Sequence, residues 1–236
     1  MNKYILSIDA GTTSSRALIF DKSGKEIGKV QHEFTQYFPK EGWVEHNATE
    51  IWISQKLAIQ EVLSLTGISI NEIASIGITN QRETTVVWNK NTGEPVYNAI
   101  VWQDRRTTEF CKGLKNQGME PMISEKTGLL LDPYFSGSKI RWILENIPNL
   151  RAKAAAGELL FGTVDTWLIW KLTNGKNHIT DSSNASRTML FDIHKNKWDD
   201  DLIELLEIPK VMLPKIVSSS GFLAEARLEE WEKAIP

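Results

Sequence analysis

The chain opens on two short runs in which apolar side chains recur at alternate positions, "YILSI" and "RALIF", on either side of the polar stretch "DAGTTSS". A period of two puts one face of an extended segment inward, so both runs read as β-strands joined by a turn. A third extended run, "EIGKVQHEFTQYF" (26–38), follows "DKSGK", whose Asp, Ser and Gly form turns. An antiparallel meander therefore begins the fold. The period then changes. "NATEIWISQKLAIQEVLSLTG" starts on an Asn-Ala-Thr capping signal and sets Ile51, Ile53, Leu57, Ile59, Val62 and Leu63 largely at helical spacing before Gly67 stops it. "IASIGITN" reads as a buried strand, "TTVVWN" as another closed by an Asn-Lys-Asn-Thr-Gly turn, and "AIVWQD" as a third.

From about 105 to 160 the pattern is helical, most clearly in "SGSKIRWILEN". "LFGTVDTWLIWKLTNGKNHITDSSNAS" then predicts a strand, a Trp-rich helix ended by Asn-Gly, and a short segment leading to "TMLFDI". In the helix, Trp167, Leu168, Trp170 and Leu172 read as the side buried against a sheet rather than an aromatic ligand platform. The tail "LEEWEKAIP" reads as a short helix stopping at Pro236. Strands followed by mixed helices and strands give an α/β fold with a mixed sheet flanked by helices. No internal repeat or low-complexity segment interrupts it.

Composition narrows the function classes. The 236 residues allow one or two domains, and 41% apolar with 24% charged residues is the balance of an ordinary globular chain. A net charge of −3, with Lys and Arg scattered, leaves no basic stripe for a phosphate backbone, so nucleic acid is not an expected partner. Cys111 is the single cysteine, which rules out an internal disulfide and a thiolate metal cage and suits a reducing cytoplasm. The start "MNKYILSIDA" is too short and too early charged for a signal-peptide core. No run approaches the roughly 20 apolar residues of a membrane span, so a cytoplasmic protein off the membrane is expected. His32, His46, His178 and His194 fall in no metal-ligand spacing and are expected to be solvated or capped.

Candidate chemistry begins at the first turn. Small hydroxyl residues beside a glycine leave backbone N–H groups uncovered, so Gly11, Thr12, Thr13 and Ser14 can cradle an anion, with Arg16 adding a charged donor. Asp9 then becomes the oxygen ligand that holds Mg²⁺ against phosphate, directly or through water. The same residues also make plain hairpin turns, and no Gly-Lys-Ser/Thr follows to make a Walker loop. Arg82 and Glu83, after a predicted strand, lie where α/β sheets bind ligands. A surface ion pair is the other reading of the same two residues.

"DAGTTSSRALIFD" resembles the first phosphate loop of the actin-like, RNase H-like ATPases. "TNQRETTVVW", "AIVWQDRRT", "DPYFSGSKIRWILEN" and "TVDTWLIWKLTNGKNHITDSSNASRTMLFDI" are similar, in order and spacing, to the FGGY family of carbohydrate kinases and within it to the branch that phosphorylates glycerol. The likeness runs from Ile5 to about Pro214. It implies that Arg82 and Glu83 bond the polyol hydroxyls, that Trp102 packs on the carbon skeleton and that Tyr134 completes the contacts. It implies ATP and Mg²⁺ as cofactors, phosphate oxygens on Thr12, Thr13, Ser14 and Arg16 of the Gly11 turn, and glycerol with ATP/ADP as partners. Asp104, Arg105 and Arg106 receive no substrate role from it and read as structural charges. Members run to roughly twice this length, with a second, nucleotide-binding domain and a "GDQ" motif whose Asp is the catalytic base. The expectation is that residues 1–236 are the substrate-binding N-terminal domain, that the base lies beyond Pro236 with none among these residues, and that this piece alone is inactive. The missing C-terminal domain is thus an expected partner, and the full-length protein an expected homo-oligomer. A regulatory loop histidine is not expected, since Lys210–Pro236 contains no His. A sister FGGY sugar kinase, or a polyol-binding or assembly module without turnover, are the alternatives.

Overall fold

The computed structural model describes residues 3–228 and 231–236. Strands β1 (Tyr4–Ala10), β2 (Ser14–Phe20) and β3 (Glu26–Glu33) form the expected antiparallel meander. The third predicted run does not continue as one strand: residues 36–37 form a separate short strand, β4 (Gln36–Tyr37), which pairs with β5 (Glu45–His46) in a different sheet. The break follows from Phe34, which turns inward and packs edge-on against His46 at 5.0 Å, while Thr35 N–H and the Tyr37 hydroxyl donate to Glu50.

Helix α1 (Ala48–Thr66) starts where the sequence places it. The Asn47 side chain accepts from the amides of Thr49 and Glu50, and Gly67 ends the helix in the left-handed conformation, at φ 66°. The cap alone is worth about 1 kcal/mol. Ile51, Ile59 and Val62 face the sheet, whereas Ile53 and Leu57 remain exposed. The chain returns as β6 (Ile73–Asn80), parallel to β1, giving the order β3-β2-β1-β6. Because β6 is an end strand, several of its residues reach solvent and it is less buried than its sequence predicts.

The next strands are shorter than their apolar runs: β7 (Val86–Asn89) and β8 (Ala99–Ile100), the latter beside β5. The helical middle resolves into α2 (Thr108–Asn116), α3 (Glu120–Thr127), α4 (Ser136–Asn146) and α5 (Leu150–Ala155). Strand β9 (Leu159–Gly162) pairs antiparallel with β7 and leads into α6 (Val164–Leu172). Trp167, Leu168, Trp170 and Leu172 are buried as predicted, with Trp88 meeting Trp167 and Trp170 at 5.3 and 5.8 Å. Then come β10 (Ile179–Asp181), α7 (Ser182–Ala185), β11 (Phe191–Asp192), β12 (Lys197–Trp198), α8 (Asp200–Leu205) and β13 (Lys215–Val217). The predicted C-terminal helix is not formed by the described part of that segment. Ala226 and Ile235 instead exchange backbone hydrogen bonds as a β-bridge, and Glu229 and Glu230 lie outside the described residues.

Two cores result. One packs α1 and α6 against the main sheet through Leu6, Ile8, Ile19, Ile51, Ile59 and Leu168. The other joins α2 to α5 with β7 and β9 through Val87, Ile123, Ile140, Ile143 and Phe161. This is an α/β fold with a mixed sheet, and among the described residues no helix is long and apolar enough to cross a membrane.

Candidate functional site

The site forms where β1 and β6 end side by side. Asp9 stands opposite Arg16 on β2 and opposite Thr79 on β6. Arg16 Nε lies 3.5 Å from Asp9 Oδ2, yet it is buried and makes no hydrogen bond among the described residues. A buried guanidinium N–H without an acceptor is costly, and an anion at the turn would satisfy it. The Gly11 amide donates to Ser14 O at 2.9 Å, closing the turn, while the amides of Thr12 and Thr13 donate to no acceptor among the described residues. A Cβ on Gly11 would stand 3.3 Å from Ser14 O and 3.8 Å from the Arg16 guanidinium, so the closed turn favours a residue without a side chain there. Of the predicted phosphate residues, Thr13 is exposed, Gly11, Thr12 and Arg16 are half-buried, and Ser14 is buried on β2.

The donor set around Asp9 also fits a magnesium ion. No group of three or more His, Cys, Asp or Glu side chains that could hold a metal ion occurs among the described residues, and at this turn Asp9 is a single carboxylate beside the hydroxyls of Thr12 and Thr13. Mg²⁺ is held that way when most of its ligands are water and substrate phosphate.

Arg82 and Glu83 separate in the structure. Arg82 is exposed and its side chain has no partner among the described residues, whereas Glu83 is buried and turned inward. The backbone at Glu83 is left-handed, φ 62°, and no ion pair forms between the two side chains among the described residues. Such a conformation is uncommon for a residue with a Cβ. Glu83 pairs instead with Arg187, whose Nε donates to Oε1 at 2.6 Å. Arg187 sits 104 residues away and was not singled out by sequence; its only signal was a charge within the small-residue run "SSNASRT".

Trp102 and Tyr134 complete the wall, with ring centroids 5.5 Å apart. The Trp102 indole Nε1–H donates to Thr12 Oγ1 at 3.1 Å, which joins the aromatic wall to the first turn. Its backbone amide donates to Thr84 Oγ1 at 3.3 Å, and Thr84 donates in turn to Gln81 Oε1 at 2.9 Å. Behind them His46 is buried, with Nδ1 at 3.3 Å from Gln81 Nε2 and Nε2 at 2.6 Å from Gln36 Oε1. That arrangement assigns Nε2 as the protonated nitrogen of a neutral ring. Burial holds its pKa down to about 4. His46 is thus a buried support of the site, where the sequence predicts a solvated or capped histidine.

Asp104, Arg105 and Arg106 behave as structural charges. Arg106 is enclosed between Glu45 and Asp104 at 2.7 and 2.8 Å and stacks on Trp43 at 3.8 Å, while Arg105 reaches Asp132 at 2.8 Å.

Residues 4–234 match the model of the N-terminal domain of the FGGY family of carbohydrate kinases. A glycerol kinase from Bacillus subtilis (strain 168) is 60% identical over 225 residues, 95% of this chain and 45% of the relative. The crystal structure of Plasmodium falciparum glycerol kinase with ADP superposes with a TM-score of 0.92 at 34% identity, covering 98% of this chain and 47% of that one. A gluconate kinase structure from Lactobacillus acidophilus superposes with a TM-score of 0.80 at 26% identity, over 91% and 42% of the two chains. This chain spans about half the length of the relatives it matches.

Proposed function

This chain belongs to the FGGY family of carbohydrate kinases, with the actin-like ATPase fold, and from that premise we propose that it is the substrate-binding first domain of an ATP-dependent glycerol kinase. One observation carries the reading: the Trp102 indole touches Tyr134 on one side and hydrogen-bonds the Thr12 hydroxyl on the other. A small polyol held against that wall lies next to a turn suited to phosphate.

The residues then take distinct parts. Arg82 donates to glycerol hydroxyls, and the Glu83 carboxylate, fixed by Arg187, accepts from them. Trp102 and Tyr134 cover the carbon skeleton. Gly11, Thr12, Thr13, Ser14 and Arg16 hold phosphate oxygens of ATP, and Asp9 holds Mg²⁺, which neutralises phosphate charge when bound. In the complete enzyme a hydroxyl oxygen of glycerol bonds to the γ-phosphorus, the bond from that phosphorus to the bridging oxygen breaks, and the hydroxyl proton passes to a base. The products are glycerol 3-phosphate and ADP. The second domain supplies that base and the remainder of the nucleotide cleft, so the 236-residue chain alone binds glycerol without turnover.

Glycerol titration followed by Trp fluorescence, together with a Mg·ATP assay for glycerol 3-phosphate, tests the reading. Expected are saturable binding, loss of most affinity in Arg82→Ala, and no product. Unchanged affinity in Arg82→Ala overturns the substrate assignment. Product that disappears in Asp9→Ala overturns the assignment of the base to the second domain.

A further inference from the structure

Lys139 lies in the first turn of α4, where a cation opposes the positive end of the helix dipole. Its side chain is nonetheless wholly buried. It folds back beneath the loop before the helix, and Nζ donates to Tyr134 O at 2.5 Å and Phe135 O at 3.2 Å. No carboxylate pairs with it among the described residues. Burial pulls its pKa down to about 7, against the fields of Asp104 and Glu83. A buried cation placed against the dipole and without a counter-ion is a local conflict of the kind that folds retain at functional sites.

What it holds explains the conflict. Tyr134 and Phe135 carry the rings on which Arg187 lies, at 5.7 and 4.9 Å, and the next residue, Ser136, donates to Glu83 O at 3.0 Å. One turn of α4 therefore grips both the aromatic wall and the backbone of the inward-turned carboxylate. The geometry points to Lys139 as a positioning residue for polyol binding, acting through the main chain of Tyr134 and Phe135 and never touching the substrate. The inference rests on the polyol reading of this site.

The test uses the 236-residue chain labelled with ¹⁵N and compares it with Lys139→Met. The nine indole N–H signals are read with and without glycerol, and folding is checked by near-ultraviolet circular dichroism. Expected are a shifted Trp102 indole signal before any ligand is added, unchanged Trp88 and Trp167 signals in their separate core, and glycerol binding weakened by about tenfold or more. Lys139→Gln, which keeps two N–H donors, should restore part of the affinity. A folded Lys139→Met with the parental Trp102 signal and affinity overturns the proposal, as does failure of both variants to fold, because the lysine is then a requirement of the fold. If the parent chain binds no glycerol, the polyol reading fails, and the claim that Lys139 sets the wall is decided by the Trp102 signal alone.

Discussion

Replacing Arg187 by Met should leave the Glu83 carboxylate buried beside an apolar side chain. Removing one partner of a buried ion pair costs about 3–5 kcal/mol, since the other charge loses its compensation. Arg187 is 25% exposed and Glu83 3%, so water reaches one end of the pair and the expected loss falls to about 2–4 kcal/mol. With a urea dependence of about 3 kcal/mol per molar, at the upper end for small proteins, the unfolding midpoint should drop by about 0.7–1.3 M. The assay is urea titration at pH 7 followed by far-ultraviolet circular dichroism. The double variant Glu83→Gln/Arg187→Met separates the causes, because it removes the stranded charge while leaving the lost stacking on Tyr134 and Phe135 uncorrected. It should recover at least half of the loss. A single-variant midpoint within about 0.2 M of the parent would refute the claim that Glu83 depends on this pair. A double variant as unstable as the single would shift the cost from charge to packing.

Arg82→Ala should change the melting temperature by less than about 2 °C, because an exposed side chain without partners contributes within ±0.5 kcal/mol; calorimetry checks this beside the glycerol titration. His46 has a folded pKa of about 4 against 6.5 unfolded, so between these values the unfolded state holds the extra proton and stability rises with pH. His46→Gln should therefore flatten the urea midpoint between pH 4.5 and 6.5, and an unchanged slope would count against a neutral buried ring. Asp165 acts oppositely: burial raises its pKa to about 6 from 3.8, the folded state holds the proton, and stability falls with rising pH in that window. Asp165→Asn should steepen the rise of stability with pH over the same range. Gly162→Ala places a Cβ 2.5 Å from Thr166 Cβ and 3.0 Å from the Trp88 ring, an overpacking worth about 1–3 kcal/mol, so the melting temperature should fall by roughly 2–10 °C.

Local signals were strong enough to place α1, α4 and the opening meander, because caps, alternation and helical spacing act within a few residues. The residues proposed to contact glycerol, Arg82, Glu83, Trp102 and Tyr134, take that role from the resemblance to the FGGY kinases and not from any local signal. The first turn could be read because a closed turn favours Gly11 with small hydroxyl neighbours, which are properties of adjacent residues. Only the tertiary structure decided that Arg82 and Glu83 part company, that Arg187 crosses 104 residues to fix the carboxylate, and that Trp102 reaches Thr12. It also decided that Phe34 breaks the third strand and that "IASIGITN" lies at a sheet edge. These outcomes depend on which distant groups share a desolvated space. A burial cost arises from three-dimensional packing, and no spacing along the chain encodes it.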